Sequence, residues 1–392
     1  MQNKTITVLG QGYIGFPTSL IFAEKGFTVK GYDINKDLIN KIDSGIIPFE
    51  EKNLNKIFKK VLNKKYFPTS KFSQSEIYII CVPTPFRSGK IKLPDMSYVF
   101  DAVDKIIPFL KNNNTVILES TSPVGSTEKI KKYIKKKNQK IKGLKLAYCP
   151  ERVLPGNIIY EMKNLDRIVG GYDEKSKKYV FELYKKITSG NVYLTDTKTA
   201  EMCKLTENCY RDVSIAFANE IDSICKEQKI NTKELIKLSN LHPRVNILNP
   251  SIGVGGHCIP VDPWFLIYTN NNSTNLIKLS RKINLNKTKK IASEIFKKIK
   301  QQKINSPTIG LLGLTYKENV DDLRESPAID IAKKISKKFK VMCGDQKIKK
   351  NFVEKLKIYK IKEVLQNSDI IFKLVNHNYL KKNKNKKIID FT

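Results

Sequence analysis

Short apolar runs alternate with lysine-rich amphipathic segments along the chain, and this alternation predicts strands and helices in turn. The run ITVLGQGYIGFPTSLIFAEKGFTVKGYDIN, which begins at Ile6, predicts a strand, a glycine turn, a helix and a second strand. Further strands are predicted in EIYIICVPTP, NTVILESTS, KLAYCPER and DRIVGG. Strands separated by helices in this way are typical of a doubly wound parallel sheet.

The middle third of the chain has a helical pattern. One long helix is predicted from Thr197 to about Gln228, followed by a shorter one in NTKELIKLSNLH and another long one. The strand-loop-helix pattern restarts in SPTIGLLGLTYKENVDDLRESPAIDIAKKIS and continues through FKVMCGD, SDIIFKLVNH and KKIIDFT. We therefore expect an α/β fold of two Rossmann-like doubly wound domains joined by a long central helix. The expected boundaries are 1–196, 197–303 and 304–392.

The first turn carries a dinucleotide-binding pattern. Gly10, Gly12 and Gly15 give GxGxxG between a predicted strand and a predicted helix, and Asp33 closes the second strand. The first glycine permits the tight turn, the second lets the backbone approach a pyrophosphate, and the third packs the helix on the strand. A carboxylate at Asp33 would bind the ribose hydroxyls and repel a 2′-phosphate. The expected cofactor is therefore NAD.

Two threonines follow later strands of the same sheet. Thr84 lies in VPTP and Thr121 in STSPVGST, each directly after a predicted strand. Ligands of open α/β sheets bind outside the carboxyl ends of the strands. Both are candidates to contact the cofactor, and the alternative is that they are ordinary loop residues.

Composition indicates an intracellular protein. The N-terminus lacks a signal-peptide layout, and no apolar run approaches the ~20 residues of a membrane helix. The seven cysteines include no CxxC pair, which fits a reducing cytoplasm better than a disulfide framework. We expect a cytoplasmic protein without a membrane partner.

The net charge of +34 raises the possibility of nucleic-acid binding. The lysines are spread over nearly every helical segment and no recognition motif accompanies them, so we expect no nucleic-acid partner. Seven of the 72 basic residues are arginines. Where lysine dominates, an arginine can mark a place that needs a planar, bidentate group, although chance retention is the alternative. The arginines are Arg87, Arg152, Arg167, Arg211, Arg244, Arg281 and Arg324.

The loop SIGVGGHCIPVDPWF holds the strongest nucleophile candidate, Cys258. Its glycines allow unusual backbone angles and close approach by a ligand. Asp262 is near enough in sequence to activate a water, and Glu151 is a second candidate base. A small buried hydrophobic residue is the competing interpretation of an isolated cysteine. None of the three histidines is spaced as a metal ligand, so no metal is expected.

Lys204 and Asn208 lie four residues apart on the predicted long helix and so share one face. In a partly dry site they could stabilise a developing oxyanion, whereas a solvated helical face is the alternative. A dinucleotide domain combined with a cysteine suggests oxidation of an alcohol to an acid through a thiohemiacetal and a thioester, with consumption of two NAD.

The chain resembles the UDP-sugar 6-dehydrogenase family over almost its whole length. The resemblance rests on GQGYIG, VPTPF, PDMSYV, ESTSPVGST, AYCPERVLPG, TAEMCKLTEN, FANE, HPRVNI, GVGGHCIPVDPWF and LGLTYKENVDDLRESPA. It implies a first domain that binds NAD, a central region for dimerisation and catalysis, and a last domain that binds a UDP-sugar. It also implies a homodimer through the central helix, in which the arginine matching Arg244 can come from the partner subunit.

The resemblance assigns roles to residues of this sequence. Cys258 would carry the thioester, Lys204 and Asn208 would polarise the reacting oxygen, and Asp262, Thr121 and Glu151 would position or activate water. The NAD contacts implied are Gly10, Gly12, Tyr13, Ile14, Gly15, Asp33, Thr84, Thr121 and Arg324. The UDP-sugar contacts implied are Arg152, Val153, Lys204, Asn208, Arg211, His242, Arg244, Gly255, Tyr316 and Lys317.

One feature, the C-terminal end, fits the resemblance less well. Relatives continue past the position of Asp390 with a basic residue near the uridine, so we expect that contact to be missing or replaced. Trp264 is a family marker that we expect to anchor the core behind the cysteine loop. Outside the enzyme class, a nucleotide-sugar sensor without catalysis remains an alternative, but it would not need the full set of catalytic candidates.

Overall fold

The computed structural model describes residues 4–87, 92–154, 156–381 and 388–392. The chain divides into two compact units, residues 1–206 with 264–269 and residues 207–263 with 270–392. The strands of the first unit are β1 (Thr5–Leu9), β2 (Thr28–Tyr32), β3 (Tyr66–Thr69), β4 (Ile77–Ile80), β5 (Thr115–Leu118), β6 (Lys145–Tyr148), β7 (Arg167–Gly171) and β8 (Val192–Asp196). Its helices are α1 (Gly15–Glu24), α2 (Lys36–Asp43), α3 (Leu54–Val61), α4 (Ser97–Ile106), α5 (Ser126–Lys137), α6 (Ile158–Asn164) and α7 (Glu174–Tyr184).

Within the described residues, the first sheet has eight strands in the order β3-β2-β1-β4-β5-β6-β7-β8. Its central strands are buried on both faces, as their near-continuous apolar sequences require. In β4, Ile77 and Ile79 pack in one apolar cluster, while Tyr78 and Ile80 pack in a second. Side chains that alternate between two clusters fix the register of the strand, because a shift of one residue would exchange the faces.

The second unit carries most of the remaining elements. The long helix α8 (Thr197–Gln228) begins in the first unit and continues into the second, and residues 264–269 of α10 belong to the first unit. The other helices from here on are α9 (Thr232–Ser239), α10 (Asp262–Thr269), α11 (Asn275–Gln301), α12 (Pro327–Ser336), α13 (Ile361–Asn367) and α14 (Asn378–Lys381). The strands are β9 (Thr308–Leu312), β10 (Lys340–Gly344), β11 (Phe352–Val353), β12 (Leu356–Tyr359), β13 (Ile370–Lys373) and β14 (Ile388–Asp390). The described strands form a sheet of six in the order β11-β12-β10-β9-β13-β14.

Side-chain caps begin several of the helices where the sequence supplies Asn or Asp. Asn35 accepts the N–H of Leu38 at the start of α2, and Asn231 accepts those of Lys233 and Glu234 at the start of α9. These caps satisfy backbone donors that have no partner within the helix.

The predicted fold class, two α/β domains and a long central helix, is confirmed. Two details differ from a purely parallel arrangement, since β7 pairs antiparallel with β6, and β11 with β12. The strands β3, β8, β11 and β12 were not predicted from the sequence. Of these, β3 and β8 are edge strands of the first sheet, and β8 has no buried residue although its sequence VYLTD begins with three apolar side chains. No helix in the described part of the chain is long and apolar enough to cross a membrane.

The glycine turn offers a matched test of packing. A Cβ added at Gly15 would lie 1.8 Å from the carbonyl oxygen of Gly10, whereas one added at Gly12 would meet no heavy atom within 4 Å. We expect Gly15→Ala to lower the free energy of unfolding by about 1–3 kcal/mol through overpacking, and Gly12→Ala to leave it nearly unchanged. Urea unfolding of both variants measures the difference. Equal stability of the two variants would contradict this account of the turn.

Candidate active site

The glycine turn of the first unit has the geometry that a dinucleotide needs. Gly10 has φ +92°, and its N–H donates to the carbonyl of Tyr32 at 2.8 Å. The open space above Gly12 lets a pyrophosphate approach the backbone at the start of α1, where the helix dipole favours negative charge. Tyr13 stacks on Phe49 with ring centroids 4.3 Å apart. The residues present therefore fit NAD.

Asp33 follows β2 and ties the turn to the second strand. One carboxylate oxygen accepts the N–H of Gln11 at 2.8 Å and the other accepts the N–H of Asn35 at 2.9 Å. The side chain is half-buried, and a carboxylate has about four acceptor positions, so capacity remains for ribose hydroxyls.

The structure places the two threonines at one edge of the first sheet. Thr84 follows β4 and is buried, and Thr121 follows β5 and is half-buried. Strands β1, β4 and β5 are neighbours and parallel. Their carboxyl ends bring both threonines to the side of the sheet that holds the glycine turn, as predicted.

Glu151 and Lys204 meet in the first unit, but not through the Glu151 carboxylate. Lys204 Nζ donates to the backbone carbonyl of Glu151 at 2.6 Å. The carboxylate of Glu151 instead pairs with Arg167, whose Nη1 lies 2.6 Å from Oε2, and both side chains are buried. The Glu151 carboxylate, which we predicted as a base, is therefore paired with Arg167. We assigned no role to Arg167 from the sequence.

A second buried carboxylate, Glu119, lies near this ion pair and was also missed. It accepts hydrogen bonds from Tyr184, from Cys81 at 3.1 Å and from Thr18 at 3.2 Å. Burial raises the pKa of the Glu119 carboxyl, and the negative charge of Glu151 adds to the effect. The only signal in the sequence was its position in ESTSP, directly after a predicted strand.

Asn208 and Asp262 meet in the second unit. Asn208 Nδ2 donates to Asp262 Oδ2 at 2.5 Å, and both side chains are buried. The N–H groups of Val261 and Asp262 donate to the carbonyl of Cys258 at 3.0 and 2.9 Å. This tight turn leads into α10 and leaves the Cys258 side chain exposed, so the structure disfavours the interpretation of a buried core cysteine.

The glycines of the cysteine loop are required by neighbouring parts of the chain itself. Gly253 and Gly256 have φ +146° and +89°, values that favour glycine. A Cβ at Gly255 would lie 2.6 Å from the carbonyl oxygen of Glu325, and one at Gly256 would lie 2.8 Å from the Tyr316 ring. The unusual backbone angles are as predicted, and the protein atoms nearest to these added Cβ positions belong to Glu325 and Tyr316.

A series of hydrogen-bonded, buried polar side chains contacts the first residue of the same loop. We did not predict this series from the sequence. Asn219 on α8 accepts the N–H of Ser251 at 2.8 Å and donates to Asn284 on α11 at 2.9 Å. Asn284 donates to Asp212 at 2.8 Å, and Asp212 pairs with the buried Arg281 at 2.6 Å. These contacts link two long helices to the first residue of the loop.

The substrate candidates of the second unit fall into two groups. Arg211, His242 and Arg244 are exposed, and the N–H of Arg244 is 3.4 Å from His242 Nδ1. Tyr316 packs against the glycine loop, and burial raises the pKa of its phenol, with Asp322 and Cys258 adding to the effect. Val153 and Arg152 lie in the first unit, where Arg152 Nη2 donates to the carbonyl of Asp166 at 2.5 Å.

Arg324, the predicted cofactor contact of the second unit, lies beside the cysteine loop. Its carbonyl accepts the N–H of Gly256 at 2.9 Å, and its guanidinium binds both carboxylate oxygens of Asp322. Burial lowers the pKa of His257, and the positive charge of Arg324 lowers it further. His257 is therefore held as a neutral imidazole next to Cys258.

A buried cluster orders the loop that carries Tyr316 and Lys317. His377 Nδ1 accepts the N–H of Asn319 at 2.9 Å, so its hydrogen is on Nε2, which faces Thr315 Oγ1 at 3.1 Å and Asp345 at 3.2 Å. Thr315 Oγ1 in turn donates to the carbonyl of Lys317 at 2.8 Å. This role of His377 could not be predicted from the sequence, because His377 and the loop lie far apart along the chain.

We expected Trp264 to anchor the core, and we expected no metal site. Trp264 is half-buried at the start of α10, and its indole nitrogen is buried without a hydrogen-bond partner among the described residues. No group of three or more His, Cys, Asp or Glu side chains in the described segments could hold a metal ion.

Family models match three consecutive parts of the chain. The NAD-binding, central and UDP-binding domains of the UDP-glucose/GDP-mannose dehydrogenase family match residues 4–188, 198–286 and 310–391. These ranges follow the predicted order of a cofactor domain, a central region and a UDP domain.

Relatives cover the chain from end to end. It is 40% identical to a UDP-N-acetyl-D-mannosamine dehydrogenase of Campylobacter jejuni over 100% of this chain and 99% of the relative. A protein of the same name from Escherichia coli K12 is 39% identical over 97% of this chain and 95% of the relative. The structure of UDP-D-ManNAc dehydrogenase from Pyrococcus horikoshii superposes with TM-score 0.92 at 36% identity and covers 98% of this chain and 94% of that one.

The support behind the cysteine loop can be tested through Asn219. We expect Asn219→Ala to lower the free energy of unfolding by about 1–3 kcal/mol, because it leaves the Ser251 N–H and Asn284 Oδ1 buried without partners. Ser214→Ala is the matched control, since it removes one exposed hydrogen bond from the same helix, to the carbonyl of Tyr210. Urea unfolding compares the two variants. Equal effects would show that the buried contacts do not stabilise the loop.

Proposed function

The chain belongs to the UDP-glucose/GDP-mannose dehydrogenase family of NAD-dependent enzymes, and we propose that its substrate is UDP-N-acetyl-D-mannosamine. The observation that carries the choice of sugar is the similarity along the whole chain to proteins named for that substrate. The product would be UDP-N-acetyl-D-mannosaminuronate, an acidic precursor suited to surface polysaccharide. The cytoplasm remains the predicted location.

The first unit would hold NAD through the glycine turn. Gly10, Gly12 and Gly15 shape the turn, Asp33 would bind the adenosine ribose, and Thr84 and Thr121 would face the cofactor from the ends of β4 and β5. NAD supplies a hydride acceptor, and two NAD are needed because an alcohol becomes an acid by loss of four electrons.

Cys258 would be the nucleophile. The C6 alcohol loses a hydride and a proton to give an aldehyde, and the Cys258 thiolate adds to the aldehyde carbon to form a thiohemiacetal. Loss of a second hydride and proton gives a thioester. Water attacks the thioester, the carbon–sulfur bond breaks, and the thiol returns with release of the acid. An exposed cysteine at a tight turn supports this role.

Lys204 and Asn208 would polarise the oxygen on C6, and Asp262 with Thr121 would orient the hydrolytic water. The hydrogen bond from Asn208 to Asp262 supports a coupled role for these two residues, since it fixes the amide and the carboxylate together. Glu151 contributes here through its carbonyl, which binds Lys204. UDP-sugar contacts are proposed for Arg152, Val153, Arg211, His242, Arg244, Gly255, Tyr316 and Lys317, and a cofactor contact for Arg324.

We also propose that the chain is divided into domains at 1–196, 197–303 and 304–392.

We further propose a homodimer contact on α8. Tyr210, Phe217 and Ile224 are 68%, 51% and 49% exposed, and they recur every seven residues. Residues at this spacing lie on one face of a helix, and an exposed apolar stripe of this kind is typical of helix pairing. A second copy of the chain is the proposed occupant.

A UDP-sugar that carries N-acetyl-D-galactosamine is the second candidate substrate. The chain is 38% identical over 97% of its length to an NDP-N-acetyl-D-galactosaminuronic acid dehydrogenase of Ralstonia nicotianae. UDP-N-acetylglucosamine and UDP-glucose remain further alternatives from the family. Kinetics on the four UDP-sugars side by side decide among them, and the sugar with the highest kcat/KM identifies the substrate.

The double oxidation predicts a fixed stoichiometry. With UDP-N-acetyl-D-mannosamine we expect about two NADH per sugar, and with Cys258→Ala we expect no uronate, because the acyl carrier is lost. Cys203→Ala, a cysteine of α8 outside the proposed chemistry, is the control and should form uronate normally. The measurements are NADH absorbance and product mass. A ratio near one, or unchanged uronate formation by Cys258→Ala, would refute the thioester route.

If α8 forms the homodimer contact, a charge introduced into its apolar stripe should convert the dimer to a monomer of half the mass. We expect the wild-type chain to be a dimer by light scattering and Phe217→Glu to be a monomer, because a charge replaces an apolar contact in the stripe. Glu220→Gln, also exposed on α8, should remain dimeric. A dimeric Phe217→Glu, or a monomeric wild type at micromolar concentration, would exclude this surface as the contact.

A further inference from the structure

Arg167 is a buried cation to which the proposed mechanism gives no role. It is the first residue of β7, its N–H donates to the carbonyl of Asn191 at 2.7 Å, and only 5% of it is exposed. The guanidinium binds the Glu151 carboxylate at 2.6 Å and the carbonyl of Met162 at 3.2 Å. Arg167 is therefore fixed by the sheet at one end and by two acceptors at the other.

The partner of Arg167 is also the residue that holds Lys204. The Glu151 carboxylate binds Arg167 through Oε2, and its Oε1 accepts the N–H of Arg152 at 2.8 Å. Both carboxylate oxygens are therefore held by a partner. Its backbone carbonyl then receives Lys204 Nζ at 2.6 Å. The position of the lysine headgroup thus depends on a backbone segment that the ion pair fixes.

The chemical type of acceptor matters for catalysis. A carbonyl is neutral and takes one of the three N–H donors of a lysine, which leaves charge and donors for a second acceptor. A carboxylate in the same place would neutralise much of that charge, because an adjacent ion pair reduces the field available to an oxyanion. The carbonyl and the carboxylate belong to the same residue, so the carboxylate is attached next to the carbonyl that binds Lys204 at 2.6 Å.

We propose that Arg167 is a positioning residue that keeps the Glu151 carboxylate away from Lys204, so that Lys204 rests on a neutral carbonyl and keeps its charge for the substrate oxygen. This inference rests on the proposed function, in which Lys204 polarises the oxygen on C6. This role differs from that of a base, because the Glu151 carboxylate stays paired with Arg167 and accepts no proton during the reaction.

Two nearby groups set what happens when Arg167 is removed. Glu119 and Tyr184 are hydrogen-bonded to each other, and the Tyr184 ring lies 5.8 Å from the Arg167 guanidinium carbon. Without Arg167, no guanidinium binds the Glu151 carboxylate, and the neighbouring Glu119 carboxyl group offers it no cation. We expect the carboxylate freed from Arg167 to turn toward the Lys204 ammonium that the Glu151 carbonyl binds, which gives the substitution a directional effect.

The test is a cycle of substitutions at two positions. In Arg167→Met we expect kcat for UDP-N-acetyl-D-mannosamine to fall about 10- to 100-fold with little change in the KM for NAD, because the lost charge acts on the reacting oxygen. Glu151→Gln alone should lower kcat less than Arg167→Met does, since an amide oxygen still accepts from Arg167 and no carboxylate is released toward Lys204. In the double variant, the side chain at position 151 no longer carries a charge that can pair with Lys204, and we expect kcat to recover at least several-fold over Arg167→Met.

The outcomes separate the possible roles. A double variant as slow as Arg167→Met, or slower, overturns the proposal, as does a Glu151→Gln that is by itself as inactive as Arg167→Met, the result expected of a base. Should Arg167→Met fail to fold, Arg167→Lys retains the charge, and its kcat must then stay within about threefold of wild type. Arg87→Met, which alters an exposed arginine 3.9 Å from Asp95, is the matched control and should keep wild-type kcat. Failure of the proposed function would appear separately, as a wild-type chain that forms no NADH.

Discussion

Both sheets depend on one kind of contact, an aspartate at the end of a strand that accepts backbone N–H groups from the glycine turn after the neighbouring strand. In the first unit Asp33 accepts from Gln11, and in the second Asp345 accepts from Leu314 at 2.7 Å. Each turn begins with a glycine at positive φ, Gly10 at +92° and Gly313 at +80°. These contacts join two parallel strands at their carboxyl ends, where ligands of such sheets bind.

Asp33 and Asp345 differ in how many hydrogen bonds they already accept from the protein. Asp345 is buried and also accepts from Thr315, Lys347, His377 and Tyr379. Burial alone would raise its pKa, but the hydrogen bonds from His377 and the Leu314 N–H hold the pKa below its usual value. Asp33 accepts fewer bonds and is half-buried, so of the two it is the one suited to bind a ribose. The same architecture therefore serves a cofactor in one unit and internal order in the other.

The parts of the molecule that the sequence predicted are those encoded by local pattern. Strands, the glycine turn and the place of Asp33 follow from spacing within about 30 residues, and the structure confirms the fold class that they imply. Glu119, Arg167, Asn219 and His377 could not be found in this way. Partners of these residues lie as far as 101 positions away along the chain, and a buried polar pair leaves no periodic signal.

The cysteine loop shows how a correct local reading can still miss the physical cause. Its glycines did predict positive φ, but the atoms that exclude side chains there belong to Tyr316 and Glu325, which are about 60 to 70 residues further along the chain. Only the folded chain shows which neighbour occupies the space, whether ligand or protein. The candidate residues for substrate and cofactor accordingly stay predictions, while the hydrogen bonds that position several of them are visible in the fold.

The choice between lysine and arginine at the buried cationic positions supports the role proposed for Lys204. The buried Arg167 binds two acceptors, the Glu151 carboxylate and the Met162 carbonyl, which suits a planar guanidinium that must hold a carboxylate in place. Lys204 is also buried, yet its acceptor is one neutral carbonyl. A guanidinium there would spread its charge over several donors, whereas an ammonium concentrates it at one nitrogen. A compact charge beside an uncharged acceptor is suited to an oxygen that becomes negative only during the reaction, because nothing else in its contact with Glu151 consumes that charge.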